Sequence, residues 1–130
     1  MHDRDWICER TLREGKRGKR VVVRMERPMK HPDDAWSCHV EIVRGKSAWE
    51  HDVFGGDSFQ ALIIALQVIR AELDKLGPAL TWPATIEEGD TGFTMHVPDF
   101  LGIGLARRLE AMVVAETERY ASQMKGEPSK

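Results

Sequence analysis

Cysteine is scarce in this chain. Two residues in 130, Cys8 and Cys38, with no C-x-x-C spacing, make neither a disulfide framework nor a local metal knuckle. Both read as small hydrophobes buried in a protein of a reducing compartment. Long apolar runs are missing too. The longest, Ala61 to Leu66, falls far short of the ~20 residues that cross a bilayer. It is also shorter than the apolar core of a secretory leader, and the N-terminus MHDRDWICER carries charge where such a leader is apolar. These absences exclude a helical membrane partner and lead us to expect a cytoplasmic protein.

A strong excess of one charge is also missing, since the net charge is −2. That balance conceals a split. Arg4 to Lys30 holds ten Lys/Arg against four Asp/Glu, a local +6, and so −8 falls on the rest. What is present suffices for a folded core: at 130 residues a domain hides roughly two-thirds of its unfolded surface without metal or disulfide. We expect a single α+β domain over residues 1–125, a disordered tail at 126–130, and no cofactor or metal.

The apolar pattern has period two in the first half. Trp6 to Arg13 alternates loosely, with Trp6, Cys8 and Leu12 on one face and Glu9, Thr11 and Arg13 on the other. Two glycines, Gly15 and Gly18, turn the chain into Arg20 to Arg27, where Val21, Val23 and Met25 point inward. Pro28 and His31-Pro32-Asp33-Asp34 read as a loop. The clearest strand is Ala35 to Val43, with Trp36, Cys38, Val40 and Ile42 on one face. Arg44-Gly45-Lys46-Ser47 turns it into Ala48 to Phe54. Pairing Val43 with Ala48 sets Ile42 opposite Trp49, Val40 opposite His51 and Cys38 opposite Val53, which joins two apolar stripes on one face.

After Gly55-Gly56 the period changes to that of a helix. Asp57 is a strong N-cap and Gln60 stands three residues on. From Phe59 to Leu76, Gln60, Gln67 and Asp74 recur every seven residues with Arg70 beside them as a narrow polar stripe, and almost everything else in the first three turns is apolar, so this helix should be nearly enclosed. Gly77-Pro78 ends it. Ala79 to Asp90 reads as a connection and Gly92 to Val97 as a short fifth strand. Leu105, Leu109, Met112, Val113 and Tyr120 then keep helical spacing in an amphipathic C-terminal helix. The predicted fold is an antiparallel four-stranded β-meander, with that short fifth strand, packed on one face by two helices.

Each chemical motif has a plainer explanation beside it. Gly56-Asp57-Ser58 at a helix start resembles the nucleophile block of a serine esterase family, but that design needs a D-x-x-H base, which the chain lacks. Helix capping explains Asp57 and the turn explains the glycines. Cys38 and His51 share a strand face, but zinc needs three or four converging ligands, so His51 reads as a core-edge histidine. Gly102-Ile103-Gly104 lacks the third glycine of a dinucleotide fingerprint. The basic turn Arg13, Lys16, Arg17, Lys19 and Arg20 is the best candidate for a polyanion contact. It has no interleaved aromatics to stack on single-stranded bases, and a solvated hairpin tip looks the same.

The runs Trp36-x-Cys38-x-Val40-Glu41-Ile42, Asp57-Ser58-Phe59-Gln60-Ala61-Leu62 and Leu66-x-x-Ile69-Arg70-x-Glu72-Leu73 resemble a widespread bacterial family of small proteins known only as a domain of unknown function. The resemblance spans residues 7 to 115. It implies bacterial origin and a β-meander followed by helices, with no established activity and no functional residues to transfer. The expected role is therefore a non-catalytic protein-interaction module, immunity-like or accessory, binding another protein. The 57–76 helix offers a surface for a homodimer. The alternatives are a nucleic-acid-binding accessory using the basic hairpin 13–20, and a small-ligand domain with a pocket lined by Trp36, Trp49 and Trp82.

Overall fold

A computed structural model describes residues 5–15, 18–77, 80–85 and 87–126. Lys16 and Arg17 of the basic turn, and residues 127–130 of the expected tail, lie outside the described residues. The chain divides into two compact units, Met1–Met95 and His96–Lys130. The class is α+β, with an antiparallel sheet and two helices.

The first unit contains strands β1 (Trp6–Glu14), β2 (Lys19–Glu26), β3 (Met29–Lys30), β4 (Trp36–Arg44) and β5 (Ser47–Gly55), helix α1 (Ser58–Lys75) and strand β6 (Leu80–Thr81). The four long strands run in the meander order expected, each antiparallel to its neighbour. The strand count is six rather than four or five. Beyond the interruption at Pro28, β3 continues the β2 edge and pairs Met29 with Ser37 and Lys30 with Trp36. Proline has no N–H to give a ladder, which confines this extension to two residues. β6 pairs Arg13 with Thr81 and Glu14 with Leu80, closing the β1 edge. The extra strand is thus at Leu80–Thr81, and residues 92–97 form no strand.

The register of β4 and β5 is the one expected: Val43 faces Ala48, Ile42 faces Trp49, Val40 faces His51 and Cys38 faces Val53. One face of the sheet buries Leu12, Val21, Val23, Met25, Cys38, Val40, Ile42 and Val53. β1 departs from simple alternation. Its register against β2 slips between Trp6 and Cys8, so that Trp6 pairs Glu26 while Cys8 pairs Met25. A bulge of one residue sends the side chain beyond it to the opposite face, and Trp6 therefore stands on the outer face rather than beside Leu12.

α1 lies across β4 and β5. The Asp57 carboxylate accepts from the Gln60 backbone N–H at 2.8 Å, and the Gln60 side-chain oxygen accepts from the Gly56 N–H. The reciprocal bond thus reaches one residue further back than in the usual capping box. Ala61, Ala65, Ile69 and Leu73 are buried against the sheet. Their small first members let the helix start close to β5, and a β-carbon on Gly55 would sit 2.5 Å from the Ala61 nitrogen. The helix is less enclosed than its composition predicts, for Phe59 is 74% exposed and Ile63 43%.

In the second unit α2 (Ile103–Met124) starts at Gly102, whose φ of 108° suits glycine. Ion pairs one turn apart, Arg107 with Glu110 and Arg119 with Glu116, run along it, and the Thr117 hydroxyl donates to the Val113 carbonyl at 2.7 Å. Among the described residues, no helix is long and apolar enough to cross a membrane.

Candidate functional site

The outer face of the sheet collects side chains that are far apart in the chain. Register places Glu9 of β1 opposite Arg24 of β2, Arg24 opposite Glu41 of β4, and Glu41 opposite Glu50 of β5. The four form a row across the strands. The Arg24 Nε donates to Glu9 at 2.8 Å and its Nη1 to Glu41 at 3.5 Å. Two residue pairs further along the ladder, and so on the same face, His39 faces Asp52. Its Nδ1 lies 2.6 Å from Asp52 and its Nε2 3.1 Å from Glu50. Each ring nitrogen of His39 therefore has a carboxylate within hydrogen-bond reach. The bulge brings the Trp6 ring to 6.0 Å from the His39 ring and 5.8 Å from the Arg24 guanidinium.

Glu41 occupies the least favourable place for a carboxylate. Burial, followed by a hydrogen bond with the Glu50 carboxyl, pushes its pKa up, and the nearby Arg24 and His39 offset this only in part. The argininium at 3.5 Å therefore does not outweigh desolvation and the like charge opposite. Around one arginine and one histidine stand the four carboxylates Glu9, Glu41, Glu50 and Asp52, so the middle of this face is acidic.

The turn end is basic. Of the expected polyanion contacts, Arg13 and Arg20 face each other directly across β1 and β2, and Lys19 faces Glu14. β4 brings Arg44 alongside Val21, so the second turn adds Arg44 and Lys46 to the patch. Arg44 is committed, because its Nε donates to Glu14 at 2.8 Å and holds that carboxyl below the ordinary glutamate range. Among the described residues Arg13, Arg20 and Lys46 have no such carboxylate. Like charges directly opposed across strands destabilise a sheet, so an anion at this end would relieve them. An open hollow of about 910 Å³ lies here, lined by Lys19, Arg20, Arg44 and Ser47.

Other expected positions are separated by the fold. Trp36 pairs Gly55 and Trp49 pairs Ile42, six residues apart along the ladder or roughly 20 Å. Trp82 lies instead over Arg10 of β1, 3.9 Å from the guanidinium carbon. The three indoles line no common pocket. Cys38 is buried as expected, its thiol pushed up to about 11 by burial; Cys8, expected to be buried too, is exposed. His39 and His51 point to opposite faces. Among the described residues no three His, Cys, Asp or Glu side chains form a group that could hold a metal ion.

The outer-face cluster was not singled out in the sequence, where Glu9, Arg24, His39 and Glu41 fall on the outward sides of their strands and Glu50 and Asp52 draw no reading of their own. The signal that finds it is register, which turns separate polar positions into neighbours. With this geometry in hand, comparison with known protein families shows that the family described as "Domain of unknown function (DUF6968)" matches residues 8–95. That span ends where the first compact unit ends. No curated protein and no solved structure matches the chain.

Proposed function

We propose, for a chain that belongs to the family described as Domain of unknown function (DUF6968), a non-catalytic role as a cytoplasmic protein-interaction module, immunity-like or accessory. Its docking surface is the outer face of the sheet. The observation that carries this reading is the row Glu9–Arg24–Glu41–Glu50, with His39 and Asp52 beside it and the opposed Arg13 and Arg20 at its end. Side chains on paired strands hold a fixed pattern, acidic in the middle and basic at the turn end. Such a pattern recognises a protein surface of complementary sign and suppresses wrong partners.

Size is compatible with this role. Four strands of eight or nine residues, at ~3.3 Å per residue and ~4.8 Å apart, span roughly 500 Å² in projection. That lies below the ~800 Å² per partner of a standard interface and suits a transient complex. The partner is a protein presenting basic groups to Glu41 and Asp52 and acidic groups to Arg13 and Arg20.

Two charge-reversed proteins, Glu41→Lys/Asp52→Lys and Arg13→Glu/Arg20→Glu, test it beside the wild type in affinity capture from source cells. A dominant protein retained by the wild type and lost from both variants is the expected result. Equal retention by both variants overturns the reading, as does turnover of ester, phosphate or nucleotide substrates by the purified protein. A second reading rests on Arg13 and Arg20, which have no carboxylate partner among the described residues, together with Lys46. In it this end contacts nucleic-acid phosphates, with affinity that falls steeply with salt and is lost in Arg13→Glu/Arg20→Glu. A mobility shift with mixed DNA and RNA that is absent or independent of salt removes it.

A further inference from the structure

A different cavity lies on the inner side of the sheet. Because α1 crosses β4 and β5, the inner side of β1 and β2 is covered from elsewhere. The chain after α1 returns as β6 beside β1, and Trp82 and Phe93 then lie over Arg10 at 3.9 and 4.7 Å. Between helix and returning chain a seam of about 180 Å³ stays open. Val23 and Met25 form its floor, Leu66 and Ile69 its helical wall, and Phe93 lies opposite. Arg70 ties that wall together by donating from Nη1 to the Phe93 carbonyl at 2.8 Å.

Two arginines line this otherwise largely apolar seam, and of these Arg24 is bound to Glu9 and Glu41. The Arg10 guanidinium is stacked on the two aromatic rings, and its Nη1 donates to the Thr91 carbonyl at 3.1 Å. Gly92 allows this closeness, since a β-carbon there would meet Arg10 Nη1 at 2.5 Å and Trp82 at 2.6 Å. Glu9 also lines the seam, but it is bound to Arg24 at 2.8 Å. Among the described residues Arg10 has no carboxylate. Stacking occupies the faces of a guanidinium and leaves its in-plane N–H groups for a planar, bidentate acceptor.

We infer that the seam binds a small monocarboxylate with an apolar, ring-sized body, the carboxylate on Arg10 and the body between Met25, Leu66 and Phe93. A dry apolar cavity of about 150 Å³ accommodates benzene, so a volume of about 180 Å³ suits a ring bearing one carboxylate. The arginine is held in place before the ligand arrives, which lowers the ordering cost of binding. The seam shares Glu9 and Arg24 with the proposed docking row, but the carboxylate partner assigned here is Arg10, which is not part of that row, so the two readings are tested separately.

Cys8 provides the readout. It is exposed and lines the seam, while Cys38 is buried with its thiol pushed up to about 11, so a thiol reagent labels Cys8 alone in the folded protein. Benzoate is the probe and benzamide its neutral counterpart. The expected result is saturable protection by benzoate, about fourfold slower labelling at about three-quarters occupancy, with benzamide ineffective at the same concentration. Arg10→Gln and the seam-filling Leu66→Trp should each abolish protection. Arg10→Lys, which keeps the charge, should retain weaker protection with the same preference for benzoate and controls for loss of the aromatic stack. Equal protection by benzoate and benzamide overturns the inference, and so does the absence of saturable protection in the wild type.

Discussion

Glu41 shows how much a single strand position can cost. Its carboxylate is desolvated and faces Glu50, and the resulting upward shift means that the folded protein holds the Glu41 proton more tightly than the unfolded chain does. Where the folded state binds more protons, stability falls as pH rises. The cost is absent below the ordinary glutamate value of 4.5 and develops as pH climbs from there through the raised value. Glu41→Gln removes the charge and keeps the shape. We expect the variant to gain stability over the wild type across that window in denaturant melts taken at a series of pH values, and to match it more closely in acid. A variant less stable at neutral pH than in acid, relative to the wild type, would contradict this sign. The sheet retains such a residue at a stability cost, which is consistent with a surface selected for recognition.

At the scale of elements, the start of α1 is fixed by two short-range bonds, Asp57 to the Gln60 N–H and Gln60 back to Gly56. Removing an N-cap acceptor costs ~1 kcal/mol. Asp57→Ala should lower the unfolding free energy by about that amount in urea, with the m-value unchanged. A loss of several kcal/mol would mean that Asp57 does more than cap. This element was legible because its chemistry is local. The β4–β5 register was legible for a related reason: two apolar stripes must join, and Ile42, Val40 and Cys38 leave one alignment that does so. That register already places Glu41 opposite Glu50 and His39 opposite Asp52. It could not reveal Arg24 and Glu9 in the same line, because that depends on how β2 docks against β4. Nor could the pattern show the slip between Trp6 and Cys8, since a bulge leaves composition unchanged while reversing a face. Two-residue strands such as β3 and β6 have no period to read. The seam around Arg10 joins β1 to Phe93 across more than eighty residues, and no local pattern carries that pairing.

Across the whole molecule, every residue of the buried core cluster lies between Leu12 and Leu80, and the partly buried side chains packed on it extend only to Phe93. The family match ends at residue 95 as well. A fragment of residues 1–95 should therefore unfold cooperatively on its own, as a single sigmoidal transition by both circular dichroism and tryptophan fluorescence. Broad transitions that do not coincide would show that its core is incomplete.

β5 has a consequence for colony-scale behaviour of the chain, that is, for how copies tolerate crowding. Among the described strands it pairs only with β4, so one side of a nine-residue strand presents open backbone groups. Such an edge is a template for strand addition by another copy, and natural proteins guard it with charge. Glu50 and Asp52 stand on this edge strand and would bring like charges close together in a symmetric edge-to-edge pairing of two copies. The residues of the proposed docking face would thus also serve as gatekeepers against fibrillar self-association.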